Sequence, residues 1–356
     1  GVYTEYFTPT TTNLAFRSSG GFIGSIDNVS VKEVLGQEVV PDSGCGSWLL
    51  EPQSTNLITY SEDFSQWSLI SGGSRVPNSV ISPDGTQNAS SWITNALSQK
   101  LQKNTSGFTQ GNEYTFSIYI KADTNLNVGI GGIQSDVISV AVTTEWQRFE
   151  VTQNAGNPTR FPQLQNIGNN GTFYVWGGQA EEQSFATSYI PTEGATNTRN
   201  QDIATNSGNA TLINSTEGVL YAEIAALANY NSQRLVSLSD GTTSNTVKIG
   251  FLSSATNYTI VSEVRSEAVL SAYMTYNFGS ISPIMTKIAI KYKENDFSLY
   301  VNGSEVATSN IGSTSIGLSE LSFDRGGGAQ KFEGKAKALA VFPILTDAEL
   351  QSLTTI

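Results

Sequence analysis

Six aromatic side chains of this sequence could form a flat surface for contact with a sugar ring. An aromatic ring stacks on the apolar face of a pyranose, while nearby amides and carboxylates bond the hydroxyls. Strand alternation puts Tyr174 and Trp176 opposite Phe173 and Val175, which makes these two the best placed. The candidates for sugar contact are Trp67, Trp92, Trp146, Trp176, Tyr119 and Tyr174. Core packing is the more frequent role of a tryptophan in a sandwich, and this alternative stays open for each of them.

Catalytic chemistry is restricted by the residues that the chain lacks. The 356 residues include no histidine and one cysteine, Cys45. Nucleophile systems that depend on histidine are therefore excluded, and we expect no zinc site. Glycoside cleavage needs two carboxylates roughly 5 to 10 Å apart across a cleft. Glu294 and Asp296 have a suitable spacing but are predicted to lie in a loop, so we expect no enzyme.

Charge and hydropathy exclude two further classes of partner. The net charge is −12, and only 14% of the residues are charged. Binding to nucleic acid depends on clustered Lys and Arg, and docking on anionic lipid depends on the same groups. No apolar run approaches the roughly 20 residues that cross a bilayer. We therefore expect neither nucleic-acid binding nor membrane insertion.

Alternating apolar and polar residues predict β-strands along most of the chain. The clearest strand covers residues 114–121, with Phe116, Ile118 and Ile120 on one face. The same pattern predicts strands at residues 146–152, 172–176, 218–227, 235–238, 247–251, 287–293 and 337–342. Gly177 and Gly178 are predicted to end the strand that begins at residue 172.

Two local signals predict specific structures near the C-terminus. Asn302-Gly303 lies between two alternating runs and is the preferred pair for a two-residue type I′ hairpin. Thr346 and Glu349 form a capping box that predicts a short helix, with Leu350 and Leu353 on one face. This helix is predicted to be an end piece and not a core element.

Many short strands separated by turns indicate an all-β chain of tandem antiparallel sandwiches. Three pieces are predicted: residues 1–47, 48–202 and 203–356. The first piece is interpreted as the end of one sandwich, because residues 22–34 look like a closing strand, followed by a Pro- and Gly-rich linker.

The middle piece resembles the jelly-roll modules of tailed-phage tail and receptor-binding proteins, which are similar to carbohydrate-binding modules. The resemblance rests on LLEPQSTNLITYSEDFSQW (49–67), ISPDGTQNAS (81–90) and FYVWGGQAEEQSFATSYIPTEGATNTRNQD (173–202). These motifs are specific as a set and weak singly. IDNVSVKEV (26–34) looks like the closing strand of another such module.

The third piece resembles the concanavalin A-like, laminin-G-like sandwich domains of the same proteins. The resemblance rests on STEGVLYAEIAAL (215–227), RLVSLSDGTTSN (234–245), IAIKYKENDFSLYVNGSEVAT (288–308), LSFDRGGG (321–328) and FEGKAKALAVFPILTDAELQSLTT (332–355). It implies a second β-sandwich and a place on a virion. A fold of this kind does not by itself imply a ligand.

The resemblance also implies candidate calcium sites. Asp27 and Asn28 lie where the resembled carbohydrate-binding modules often hold a structural calcium, and laminin-G-like domains often bind calcium at one rim. Asp240 and Asp324 are the candidates in the third piece. Asp240-Gly241 is also a common turn pair, so this alternative stays open. Glu181 and Glu182 are expected to be solvated.

The combined interpretation is a non-enzymatic virion protein of a phage tail, fibre or surface appendage that attaches to host-surface glycan. We expect it to work outside the cell, as a homo-oligomer such as a trimer, with other virion proteins as partners. One alternative is a structural or decoration module that binds no sugar. Another is the accessory region of a secreted polysaccharide-degrading enzyme.

Overall fold

The computed structural model of the protein describes residues 37–39, 46–227, 233–252, 259–278 and 284–356. Antiparallel strands make up nearly all of its regular structure, and the prediction of an all-β chain is confirmed. The first sixteen strands are β1 (Gln37–Val39), β2 (Trp48–Leu50), β3 (Ser54–Asn56), β4 (Ser68–Ile70), β5 (Ser74–Val80), β6 (Ala89–Ile93), β7 (Lys100–Gln102), β8 (Thr105–Ser106), β9 (Glu113–Ala122), β10 (Leu126–Gly131), β11 (Val137–Val142), β12 (Gln147–Asn154), β13 (Thr159–Arg160), β14 (Gln163–Gln165), β15 (Thr172–Glu181) and β16 (Asn197–Arg199).

The remaining ten strands and the single α-helix of the described residues belong to the C-terminal part. They are β17 (Glu217–Ala226), β18 (Arg234–Ser239), β19 (Thr246–Leu252), β20 (Thr259–Ser266), β21 (Val269–Asn277), β22 (Thr286–Lys293), β23 (Phe297–Val301), β24 (Ser304–Ser309), β25 (Glu320–Ser322), β26 (Gly334–Phe342) and α1 (Asp347–Thr354).

The first sandwich consists of two five-stranded sheets. The strand order of the front sheet is β12-β9-β15-β6-β5, and that of the back sheet is β11-β10-β14-β7-β4. One apolar core lies between them, built from residues that range from Ile58 to Ala180. The alternation predicted for β9 is confirmed, because Phe116, Ile118 and Ile120 are all 0% exposed and lie in this core.

The two glycines after Trp176 do not end β15, contrary to the sequence-based prediction. The strand continues to Glu181 through a β-bulge between Trp176 and Gln179. Gly177 has a φ of +65°, which is easily adopted by glycine. A Cβ on Gly178 would lie 2.8 Å from the Trp67 ring. The glycines therefore bend the strand and allow a core ring to approach its backbone.

The second sandwich packs a seven-stranded sheet on a five-stranded one. The larger sheet has the order β1-β26-β17-β22-β23-β24 with β2 also paired to β26, and the smaller has the order β21-β20-β19-β18-β25. The core between them contains Leu220, Ala222, Ile224 and Ala226 of β17, as the alternation predicts.

The predicted hairpin and helix are both confirmed. Val301 pairs with Ser304, and the two residues between them have positive φ angles of 47° and 83°. The capping box of Thr346 and Glu349 opens α1, and Leu350 is 0% exposed. The helix covers the outer face of the seven-stranded sheet, outside the main core.

Strand β2 belongs to the second sandwich, although its residues open the predicted middle piece. Trp48 pairs with Ala336 of β26, and Leu50 lies in the second core. The boundaries at residues 47 and 202 stay predictions. The predicted closing strand at residues 22–34 lies outside the described residues. No helix among the described residues is long and apolar enough to span a membrane.

Candidate functional site

The outer face of the front sheet carries two cross-strand rows of aromatic and cationic side chains. Both rows follow from strand register, since residues paired across neighbouring strands lie side by side on one face. The open row contains Trp146, Lys121 and Tyr174, and the covered row contains Arg148, Tyr119 and Trp176. Trp146 directly precedes β12, while Lys121 and Tyr174 are paired between β9 and β15.

The open row holds an ammonium group between two half-buried rings. The Lys121 Nζ lies 5.3 Å from the centroid of the Trp146 ring and 5.5 Å from that of Tyr174. Both distances fall within the range of cation–π attraction. The row continues across β6 and β5 with Ser91, which is buried at 4% exposed, and with Val76, which is 49% exposed. The result is a shallow surface with aromatic, cationic and aliphatic groups.

A tight turn fixes the position of Trp146. Its indole Nε1 donates a hydrogen bond to the Ile81 carbonyl oxygen at 3.1 Å. The turn that follows is closed by Asp84, whose Oδ1 accepts from Ser82 Oγ at 2.6 Å and from the backbone N–H of Thr86 at 2.7 Å. The Ser82 hydrogen bond, with those from Thr86 and Asn88, lowers the pKa of Asp84 to about 2 against the opposing effect of desolvation.

Asp123 orients the ring of Tyr174 at the other end of the open row. The Tyr174 hydroxyl donates to Asp123 Oδ1 at 2.7 Å. This hydrogen bond to a carboxylate stabilises the neutral phenol and is the main reason that the pKa of Tyr174 is raised.

The covered row is packed beneath residues 182–192, which we call the covering loop. Trp176 is 5% exposed and lies between Tyr119, at a ring distance of 5.3 Å, and Tyr189 of the loop, at 4.6 Å. Arg148 donates to the Thr187 carbonyl oxygen at 2.7 Å and to Ser117 Oγ at 2.9 Å. These contacts between the covered row and the covering loop hold the loop on the sheet.

A buried carboxylate anchors the covering loop from below. Glu181 is 0% exposed, so the expectation that it is solvated was wrong for this residue. Its Oε1 accepts hydrogen bonds from Gln179 at 2.6 Å and from the Thr187 backbone at 2.9 Å, and Oε2 accepts from the hydroxyls of Thr187 and Ser54. A carboxylate can be buried when both oxygens are satisfied in this way. Glu182 is exposed, as expected.

The structure places the six predicted aromatic residues in three different environments. Trp67 and Trp92 are 3% and 0% exposed and lie in the first core, so neither offers a ring face to a ligand. Their burial corrects the sequence-based expectation for these two side chains. Tyr119 and Trp176 belong to the covered row. The open row retains Trp146 and Tyr174.

The calcium candidates of the second sandwich lie in two loops that contact each other. A Cβ on Gly326 would lie 2.7 Å from the Thr242 carbonyl oxygen. Both carboxylate oxygens of Asp240 accept hydrogen bonds inside its own turn, from Thr242 and Asn245. Asp324 is 1% exposed, and its Oδ1 accepts from the Gly326 backbone at 2.6 Å.

A calcium ion takes six to eight oxygen ligands, more than these two carboxylates supply, and calcium binding at this place stays a prediction. Asp324 Oδ2 is the one carboxylate oxygen of the pair without a hydrogen-bond partner among the described residues. No group of three or more Asp, Glu or Cys residues in the described ranges is placed to hold a metal. The other two candidates, Asp27 and Asn28, lie outside the described residues.

The predicted loop carboxylate Asp296 makes a structural contact. It is ion-paired with Lys291 at 3.0 Å, and Lys291 also contacts Asp347 of α1 at 3.2 Å. The contact connects the loop before β23 with the C-terminal helix.

A polar cleft of about 420 Å³ opens on another part of the first sandwich. Its lining includes Ser54, Thr55, Leu57, Gly107, Tyr114 and Glu182. Both oxygens of Glu182 already accept hydrogen bonds, from Asn112 at 2.7 Å and from the Tyr114 hydroxyl at 2.9 Å. The Tyr114 side chain is fully buried, so this cleft has no exposed aromatic ring for a sugar.

Sequence reasoning missed the groups that complete and position the open row. Alternation along β9 places Lys121 on the outer face, but pairing with Trp146 and Tyr174 depends on the strand order. The contribution of Asp84 depends on a contact between residues 65 positions apart, Trp146 and Ile81. No local pattern in the sequence reveals that contact.

Comparisons with known proteins give weak structural similarity and nothing at the level of sequence. No family profile matches the chain, and no curated protein matches it. The CBM40 module of the Ruminococcus gnavus IT-sialidase, solved with α2,3-sialyllactose, aligns with a TM-score of 0.35 and 18% identity over 43% of this chain and 95% of that one.

Two further structures are similar at the same low level. Domain 4 of AbnA, an extracellular arabinanase of Geobacillus stearothermophilus, was solved with arabinotriose and has a TM-score of 0.31, with 15% identity over 46% of this chain and 84% of that one. The enzymatically active domain of tailspike protein 4 of bacteriophage CBA120 has a TM-score of 0.28, with 10% identity over 35% of this chain and 21% of that one. All three scores are below 0.5, so these likenesses carry no functional conclusion for this chain.

Proposed function

We propose that the protein is a non-enzymatic component of a phage tail, fibre or surface appendage that attaches to host-surface glycan. The observation that carries the sugar-binding part is the open row. There Trp146 and Tyr174 remain half-buried on an outer sheet face, on either side of a lysine, while Trp67 and Trp92 lie in the core and Trp176 lies beneath the covering loop. The place on a virion is supported by the sequence motifs described above.

The chemistry of the open row suits a sugar better than it suits an apolar ligand. Its rings supply apolar contact, whereas the Lys121 ammonium and the Asp123 carboxylate are groups that bond hydroxyls. The neighbouring strands are about 4.8 Å apart, so Trp146 and Tyr174 are separated by roughly two strand spacings. That distance allows contact with more than one ring of an extended oligosaccharide.

A shallow surface of this kind gives weak binding at each site. Attachment of a virion would then depend on many copies acting together, through a homo-oligomer and other virion proteins. This arrangement matches the expected role of an appendage, in which each module contributes a small free energy and the assembly supplies the avidity.

The test is binding of the purified protein to an array of bacterial surface polysaccharides, with three variants in parallel. Trp146→Ala and Tyr174→Ala should each weaken binding by about tenfold, since aromatic anchors at the centre of a contact contribute most. Tyr273→Ala is the control, because Tyr273 is a 47% exposed tyrosine on an outer face of the second sandwich.

Three outcomes would overturn parts of the proposal. Folded protein that binds no glycan on a multivalent support would favour a purely structural module. Binding that survives both open-row variants would place the site elsewhere. A catalytic domain encoded next to this sequence would favour the accessory region of a polysaccharide-degrading enzyme over a virion component.

A further inference from the structure

We infer that the open row selects an anionic sugar, one that carries a carboxylate or a phosphate, and that Lys121 is the residue that determines this specificity. The inference rests on the proposed glycan binding at the same row and names the class of glycan. It depends on which cationic side chains are already paired within the fold and which are not.

Lys121 differs from the lysines that the fold uses for its own stability. Its Nζ lies between two aromatic rings and makes no hydrogen bond or ion pair among the described residues. Several lysines of the second sandwich are ion-paired, for example Lys248 with Glu263, Lys291 with Asp296 and Lys337 with Glu223. The positive charge of Lys121 is therefore available to a ligand.

The neighbouring cation of the same sheet face is not available. Arg148 donates to Thr187 and Ser117 and lies 5.5 Å from the Tyr119 ring. A ligand that approached it would have to displace the covering loop. The two rows thus contain one committed cation and one uncommitted cation on adjacent strands.

An uncommitted lysine between two rings is pre-positioned for an anion. The rings hold the side chain over the sheet, which reduces the entropy that a free lysine loses on binding. The chain carries a net charge of −12, so its overall field repels anions, and the positive charge of Lys121 opposes that repulsion at the open row. Charge complementarity of this kind supplies specificity more than affinity.

Asp123 restricts where the anionic group can lie. Its carboxylate accepts from the Tyr174 hydroxyl and marks the outer end of that ring. Repulsion between carboxylates would direct the anionic group of the ligand away from this end, toward Lys121 and Trp146. Removal of the Asp123 charge should therefore strengthen binding of an acidic sugar, while removal of the Lys121 charge should weaken it.

The experiment uses polysaccharides printed in pairs that differ only in charge. Each uronate- or sialate-containing polysaccharide is printed beside its carboxyl-reduced form, and each phosphate-containing one beside its dephosphorylated form. The full chain should bind at least one charged form about tenfold more tightly than its neutral partner, and added salt should reduce this difference. The two kinds of pair distinguish a carboxylate from a phosphate.

Charge variants then assign the effect to Lys121. Lys121→Gln should abolish the preference for the charged form, Lys121→Arg should retain it, and Asp123→Asn should increase it about two- to threefold. Lys103→Gln is the matched control, because Lys103 also lies over a ring, 4.9 Å from the Tyr60 centroid, but outside both rows.

The outcomes separate this inference from the proposed function. Equal binding of charged and neutral forms that still depends on Trp146 would overturn the inference and leave glycan binding intact. A charge preference that Lys121→Gln leaves unchanged would also overturn it. No binding to any form, charged or neutral, would overturn the proposed function and the inference together.

Discussion

The open row and the covered row have nearly the same composition and opposite roles. Each combines aromatic rings with one cation on the strands β12, β9 and β15. In the covered row, Tyr189 packs on Trp176 and the Thr187 carbonyl accepts from Arg148. In the open row, Lys121 lies between two rings and forms no hydrogen bond or ion pair among the described residues. The same side-chain chemistry therefore stabilises the fold in one row and is free for a ligand in the next.

This difference teaches that residue type alone does not identify a sugar-binding aromatic. The deciding factor is whether another segment of the chain occupies the outer face of the ring. A variant that affects binding without changing stability belongs to the open row, and one that affects stability without changing the binding of folded protein belongs to the covered row.

The largest effect is expected from Trp176→Ala. Replacing a buried aromatic side chain with alanine costs about 3 to 5 kcal/mol of unfolding free energy, because it removes packing and leaves a cavity. Denaturant unfolding measures this loss, with Trp146→Ala as the counterpart that should cost about 1 kcal/mol or less. Equal costs for the two variants would remove the distinction between the rows.

The second effect concerns the bulge that shapes the covered row. A Cβ on Gly177 would lie 3.2 Å from both the Tyr119 and the Tyr189 rings, at a φ of +65°. Gly177→Ala should therefore lower stability by about 1 to 2 kcal/mol. Glycan binding by the folded fraction should stay within about twofold of the original protein. A selective loss of binding would mean that the covered row takes part in recognition.

The third prediction concerns the turn that supports Trp146. Asp84→Ala removes the acceptor that closes the turn and positions Trp146. Loss of these hydrogen bonds costs about 1 kcal/mol, and glycan binding should therefore weaken by about fivefold. Asp136→Ala is the control, since Asp136 is an exposed aspartate that takes no part in this turn. An unchanged affinity in Asp84→Ala would show that the turn does not position the ring.

The Asp84 carboxylate also makes the free energy of unfolding depend on pH. Its pKa of about 2 in the folded state lies below its ordinary value of 3.8. The ionised form therefore stabilises the turn fully above pH 3.8, and this contribution is lost as the pH falls toward about 2. Unfolding measured through this window should show a smaller loss of stability in Asp84→Ala than in the original protein.

The smallest effect is expected from two tyrosines, one at each row. The Asp123 hydrogen bond raises the pKa of Tyr174, whereas burial raises the pKa of Tyr189. Because each pKa is raised in the folded state, the stabilisation that comes from each neutral phenol is complete below the ordinary pKa of about 10. It is lost as the pH rises through the pKa of the folded state. In an absorbance titration of tyrosinate, Tyr174 should ionise before Tyr189, as shown by comparing Tyr174→Phe and Tyr189→Phe. The reverse order would contradict the assignment of the open row to the solvent-accessible side.

Much of the fold could be predicted from local patterns, whereas the site could not. The alternation in β9 and β17, the Asn302-Gly303 turn and the Thr346 capping box are signals within a few residues, and each matches the structure. The bulge in β15 was missed because two adjacent glycines usually indicate the end of a strand. The reason for them here is the Trp67 ring that packs against Gly178, a contact that the local sequence does not reveal. Burial of Trp67 and Trp92, and of Glu181, depends on segments that are distant in sequence.

The most direct test follows the indole N–H signals of the protein by nuclear magnetic resonance during titration with a bound polysaccharide fragment. The five tryptophans give five such signals, which can be assigned by single substitutions. We predict that the Trp146 signal shifts on binding while those of Trp67, Trp92 and Trp176 stay in place. A shift of the Trp176 signal with Trp146 unchanged would contradict the separation of the two rows.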